Sequence, residues 1–103
     1  MRLALAQINT TVGDIAGNEA RILSAYREGV SAGAELVLFP ELALTGYPPR
    51  DLLLRPSFID ANLDALGRLA AQTGAVGMLV GYVGRNPARP GRDLTNAAAL
   101  LAN

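Results

Sequence analysis

At 103 residues and 50% hydrophobic, the chain suffices for one modest domain and is too short for two. Nine basic residues balance nine acidic ones, so no charge excess recommends a nucleic-acid surface or an anionic membrane as partner. The chain has no Cys and no His, which excludes disulfides and thiolate metal sites, removes the commonest imidazole ligand and argues against a metal.

Leu3 to Ile8 is nearly continuous in apolar residues and predicts a strand buried on both faces. The run is too short for a signal-peptide core, and Gln7 and Asn9 interrupt it. No other stretch approaches the ~20 apolar residues that span a bilayer, so the expected location is the cytoplasm. Thr10 to Gly17 reads as the turn that follows. From Asn18, read as an N-cap, the spacing predicts a helix whose apolar face holds Ile22, Leu23, Tyr26 and Val30, while Glu19, Arg21, Arg27 and Glu28 face away. Gly33 is a good stop. Leu36 to Phe39 predicts a second buried strand, ended by Pro40, which has no ladder donor. Pro56 opens a second helix with a core face of Ile59, Leu63, Leu66 and Ala70, ended by Gly74. Val76 to Val83 is a third strand, and Arg85 to Asp93, with two prolines and a glycine, is a surface connection. Asn96 to Leu101 reads as a fourth strand, although its alanines also suit a helix.

This order predicts an α/β layer with right-handed crossovers. Its strands read as needing cover on both faces, and two helices cover only part of such a sheet. If both helices lie on one side, the other side needs a second layer that the chain does not supply. The 103 residues therefore read as the opening portion of a larger domain, and the chain alone is expected to associate through its uncovered face.

Glu41 stands just after the second strand, where ligands collect in open α/β sheets. As ordinary structure it would cap a turn or pair with an Arg. As chemistry, a carboxylate partly desolvated by Phe39, Leu42 and Leu44 would serve as a general base. It has no nucleophile here, because the Ser and Thr residues lack any His or Lys to activate them. Tyr47 precedes Pro48 and is biased toward an extended conformation, either holding its ring and hydroxyl over a pocket or plugging the loop. Asp51 and Arg55 are spaced for an ion pair if Leu52 to Leu54 is helical, and those leucines pack the loop down or meet another layer or subunit. The glycines at 74, 77 and 81 match neither a phosphate loop nor a dinucleotide fingerprint and read as a helix stop and strand positions of close approach.

Leu5-Ala6-Gln7-Ile8-Asn9, Val12-Gly13-Asp14, Gly17-Asn18 and Phe39-Pro40-Glu41 resemble the opening strand, turn and catalytic-glutamate motif of the nitrilase or carbon-nitrogen hydrolase superfamily. The continuation from Thr45-Gly46-Tyr47-Pro48-Pro49 to Arg55-Pro56 is similar to the glutaminase domain of the glutamine-dependent NAD synthetase branch. The similarity runs from Arg2 to the last residue, with small departures at Thr10, where the family usually has Pro, and at Thr95, where it often has Tyr.

The resemblance implies a partial four-layer αββα sandwich, with residues 1–103 the N-terminal portion of a carbon-nitrogen hydrolase (glutaminase) domain. It implies a Glu-Lys-Cys triad in which the Glu is general base, the Cys attacks the glutamine amide and the Lys stabilises the oxyanion. Only Glu41 transfers to this chain, with Tyr47 a candidate for substrate binding; the Lys and Cys lie farther along in the family. So does the synthetase domain, which uses ATP and Mg to amidate deamido-NAD with the ammonia from glutamine. The parent enzyme is expected to be a homo-oligomer, and this chain alone is expected to be inactive. The alternatives are another amidase or nitrilase of the superfamily, or a short non-enzymatic module that binds a partner through its open sheet face.

Overall fold

Residues 1–86 and 93–102 are described by the computed structural model. Strand β1 (Leu3–Leu5) leads into helix α1 (Ile15–Ser31) and strand β2 (Leu36–Leu38). A 3-10 turn at Arg50–Leu54 precedes helix α2 (Pro56–Gln72), strand β3 (Gly77–Arg85) and strand β4 (Leu94–Leu101). The sheet order is β1-β2-β3-β4, with β1, β2 and β3 parallel and β3–β4 an antiparallel pair. The alanines of β4 thus serve a strand, which pairs from Met78↔Leu101 to Arg85↔Leu94 and is longer than predicted at its start. Of the expected Arg85–Asp93 connection, residues 87–92 lie outside the described residues.

The rows across the sheet separate its two faces. Ala4, Val37, Met78 and Leu101 share one row, and all belong to the core that Ile15, Ile22 and Tyr26 of α1 and Ala65 and Leu69 of α2 complete. Both helices therefore cover the same face. The next row is Leu5, Leu38, Leu79 and Leu100, pointing the other way, with Leu5 69% and Leu100 65% exposed. The expectation that β1 is buried on both faces is corrected: Ala4, Ala6 and Ile8 alternate with exposed Leu3, Leu5 and Gln7. The strand is also shorter than Leu3–Ile8, because it pairs only along β2, and after the bond from Ala6 N to Leu38 O that partner turns away toward Pro40.

Helix α1 begins earlier than the sequence predicts. Asp14 is the N-cap, its Oδ1 accepting from Gly17 N at 3.0 Å, and Asn18 sits in the first turn with its side chain fully buried. The buried stripe runs Ile15, Asn18, Ile22, Tyr26, Gly29, while Val30 is 40% exposed. Gly29 holds the seam because a Cβ there would lie 2.7 Å from Val37 Cγ2. Gly33, with φ +86°, ends the helix as expected. Glu19 does not simply face away: Arg68 of α2 donates to both its carboxylate oxygens at 2.8–3.1 Å, and this hydrogen bonding raises the guanidinium pKa further above its ordinary value.

Helix α2 starts at Pro56 as predicted, but its core face is Ile59, Asn62, Ala65 and Leu69. Leu63 and Leu66 are half-buried and Ala70 is exposed. The rotation follows from Asn62, a polar residue that an apolar stripe leaves out. Its amide does the work of a strand. Past the Leu38↔Leu79 pair β2 has ended, so the β3 groups that faced it need other partners. Asn62 Nδ2 donates to Val83 O at 2.6 Å, and Val83 N donates to Asn62 Oδ1 at 3.0 Å.

Candidate functional site

Beyond β2 the chain keeps one more ladder bond, from Phe39 N to Leu79 O at 3.0 Å, and then reaches Pro40, which has no N–H. Glu41 emerges at the carboxyl end of β2 with its side chain exposed. Leu42 reverses the chain with φ +48°, a left-handed conformation that is uncommon for a non-glycine residue. Its carbonyl accepts from Gly46 N at 3.0 Å and from Thr45 Oγ1 at 3.4 Å. Residues 42 to 46 are all buried, so this turn is a fixed object rather than a surface loop.

Contacts remote in sequence fix the turn. Asn18 Nδ2 donates to Leu44 O at 3.0 Å and to Thr11 O at 2.8 Å, and its Oδ1 accepts from Thr11 N at 2.8 Å. Gly13 N donates to Thr45 O at 2.9 Å. Gly46, with φ +77°, lies where a Cβ would collide with the backbone of Val12. On the β3 side, a Cβ on Gly81 would fall onto Leu42 N and within 3.1 Å of Pro40 O. Close approach at Gly81 and Gly77 is thus as expected from the sequence; at Gly77 the neighbour is Leu36 Cδ1, at 3.0 Å.

The carboxylate itself is open. Among the described residues Glu41 has no side-chain hydrogen bond or ion pair, so it neither caps the turn nor holds an Arg. Of the residues expected to desolvate it, Leu42 packs with Ile59 and Val83 and Leu44 joins the main core, while Phe39 borders the same recess as Glu41. Glu41 borders a recess of about 310 Å³ together with Phe39, Gly81, Asn96 and Ala98. A larger cavity of about 660 Å³, bounded by Leu53, Leu54, Ile59 and Arg85, includes neither Glu41 nor Tyr47.

Tyr47 is 63% exposed, precedes Pro48 through a cis peptide bond and does not line the Glu41 recess. It is no buried plug, and the structure does not bring it to Glu41 there. Leu52 to Leu54 does form a helical turn, but the ion pairs among the described residues are Arg21–Asp14, Arg68–Glu19 and Arg85–Asp60, so Asp51–Arg55 does not form. Leu53 packs against Leu42, Ile59 and Val83, and Leu54 is 81% exposed. Among the described residues no three His, Cys, Asp or Glu side chains gather to hold a metal, and no described helix is long and apolar enough to cross a membrane. Sequence reasoning missed Asn18 and Asn62 as anchors; the available signal was an Asn standing where the helical period calls for an apolar residue.

The family described as carbon-nitrogen hydrolase matches residues 2–103. The chain is 40% identical over 103 residues to the glutamine-dependent NAD(+) synthetase of Thermotoga maritima, covering 98% of this chain and 17% of that protein. It superposes on the glutamine-dependent NAD+ synthetase of Acinetobacter baumannii, solved with ADP, with a TM-score of 0.86 and 31% identity, covering 97% of this chain and 18% of that one. An amidase from Nesterenkonia sp. gives a TM-score of 0.74 and 28% identity over 82% of this chain and 32% of its own. The chain thus spans under a fifth of the length of the synthetases it matches.

Proposed function

Because this chain belongs to the carbon-nitrogen hydrolase family, we propose that it forms the N-terminal part of the glutaminase domain of a glutamine-dependent NAD synthetase, with Glu41 as general base. The observation that carries the assignment is that Glu41 stands exposed at the end of β2 on a buried, rigid turn, with no partner of its own among the described residues. A carboxylate so placed is available to groups that a later segment brings. In the longer polypeptide, Glu41 takes the proton of a Cys thiol, the thiolate attacks the glutamine amide carbon, and a Lys stabilises the oxyanion. Glu41 gives that proton to the departing amide nitrogen, which leaves as ammonia, and the carboxylate so regenerated takes a proton from the water that hydrolyses the thioester and returns it to the departing Cys sulfur. The ammonia amidates deamido-NAD in a synthetase segment, where ATP and Mg²⁺ belong. Tyr47 is kept as a substrate-contacting residue in this reading, reaching glutamine only when the remaining segments enclose the site.

In the longer polypeptide Glu41→Gln should abolish glutamine-dependent NAD synthesis and spare ammonia-dependent synthesis. If both fell together at unchanged stability, the role given to Glu41 would be wrong. The 103-residue chain alone, having no Cys and no Lys, should release no ammonia from glutamine; measurable release would refute the triad reading. The partners in this reading are glutamine, deamido-NAD and ATP, with no nucleic acid or membrane, in a cytoplasmic homo-oligomer. The likeness to the Nesterenkonia amidase supports a second reading, an amidase of the same family. Ammonia release by the longer polypeptide with no NAD formed from deamido-NAD and ATP would select it.

A further inference from the structure

We propose that Gly81 is a positioning residue for Glu41, a notch in β3 that seats the backbone of the glutamate and so sets where its carboxylate stands, with Asn18 anchoring the far side of the same turn. The proposal rests on the reading of Glu41 as general base. It starts from the fact that Glu41 has no side-chain partner among the described residues, so nothing on its carboxylate fixes it. Its placement has to come from the backbone on either side.

That backbone lies against β3 at one residue. A Cβ at position 81 would overlap Leu42 N, and would lie 3.1 Å from Pro40 O and 3.2 Å from the carbonyl carbon of Glu41. All three atoms are main chain, so no side chain can swing aside to make room. The same residue bonds the turn: Leu44 N donates to Gly81 O at 3.4 Å. Leu42 then turns through φ +48°, and Asn18 Nδ2 holds Leu44 O at 3.0 Å from the opposite side. With Gly81 in front and Asn18 behind, the peptide carrying Glu41 cannot slide along β3. Gly77, on the same face of the same strand, provides the contrast, because its nearest neighbour is the side-chain end of Leu36, which can move.

The test compares Gly81→Ala with Gly77→Ala in the longer polypeptide, measuring kcat and KM for glutamine, the ammonia-dependent rate and the melting temperature. A displacement of the base of the order of 1 Å should cost about 100-fold in glutamine-dependent kcat. KM for glutamine and the ammonia-dependent rate should stay unchanged in Gly81→Ala, and Gly77→Ala should keep its kcat. Equal loss in both variants, or a loss in Gly81→Ala that appears only in KM and melting temperature, would reduce Gly81 to a packing position. Should Gly81→Ala fail to fold, Asn18→Asp decides the matter. It keeps the shape, the acceptor for Thr11 N and the contact with Arg21 Nη1 at 3.1 Å, and loses the donations to Leu44 O and to Thr11 O. It should lower kcat in the same selective way, and an unchanged kcat would overturn the proposal. Glu41→Gln in the same series separates the two ideas: if it retains glutamine-dependent activity, the general-base reading fails, whereas loss there with full activity in Gly81→Ala defeats the positioning role alone.

Discussion

Replacing Asn62 by Ala removes the side chain that stands in for β2 where that strand has ended. Asn62 is fully buried and exchanges a pair of hydrogen bonds with Val83, at 2.6 and 3.0 Å, in the manner of a peptide in a ladder. Truncation leaves one buried N–H and one buried C=O without a partner, at about 1–3 kcal/mol each. Taking roughly 2–6 kcal/mol for the pair, and 1.4 kcal/mol for each factor of ten, the protection of this part of β3 against local opening should fall by roughly 30- to 20,000-fold. Amide hydrogen exchange of the longer polypeptide, read at Val83 and its neighbours, measures that directly. Asn62→Asp, which keeps the acceptor for Val83 N and sets an oxygen against Val83 O, should also lose protection. Unchanged exchange at Val83 in the Ala variant, or an equal fall in α1, would refute the idea that the amide acts as a local replacement for a strand.

Gly67→Ala should raise the melting temperature by the equivalent of about 1 kcal/mol, since this α2 position is open and a Cβ there meets nothing within 4 Å. Gly29→Ala should lower stability by about 1–3 kcal/mol, because its Cβ would press on Val37 Cγ2 in the α1–β2 seam; a neutral result in thermal unfolding would mean that the seam relaxes freely. The isolated chain should associate through the open leucine face, and Leu5→Glu with Leu100→Glu should shift it toward monomer on sizing. A wild-type chain that elutes as a clean monomer would count against that face as the cause.

Much of the architecture was legible because local signals agreed. Pro56 marks a helix start, Gly33 a stop, and the Val76 to Val83 run a strand, and each acts within a few residues of itself. The errors lie where a residue is decided by something distant. Asn18 reads as the N-cap by residue type, but Asp14 takes that place while the Asn18 amide is committed to Thr11 and to Leu44, 26 residues away. The α2 stripe is rotated because Asn62 answers to Val83. An apolar run such as Leu3 to Ile8 records what a strand tolerates, and exposed Leu3 and Leu5 show that it does not name the cover. At the site, the position of Glu41 at a strand end followed from Pro40, whereas its exposure depended on where Leu42 and Leu44 packed, which no spacing encodes.

The notch at Gly81 also imposes an order of events on biosynthesis. Glu41 leaves the ribosome well before the strand that seats it, and the turn after it, with Leu42 in its left-handed conformation, has nothing to close against until Gly81 has followed. Contacts of such long sequence separation form late. While translation is between these two residues, Asn18 is already in the chain and Gly81 is not, so only one of the two supports of the turn has been made. Slowing elongation after Leu44 would prolong that half-built state and with it the exposure of Leu42 and Leu44, which the finished fold buries.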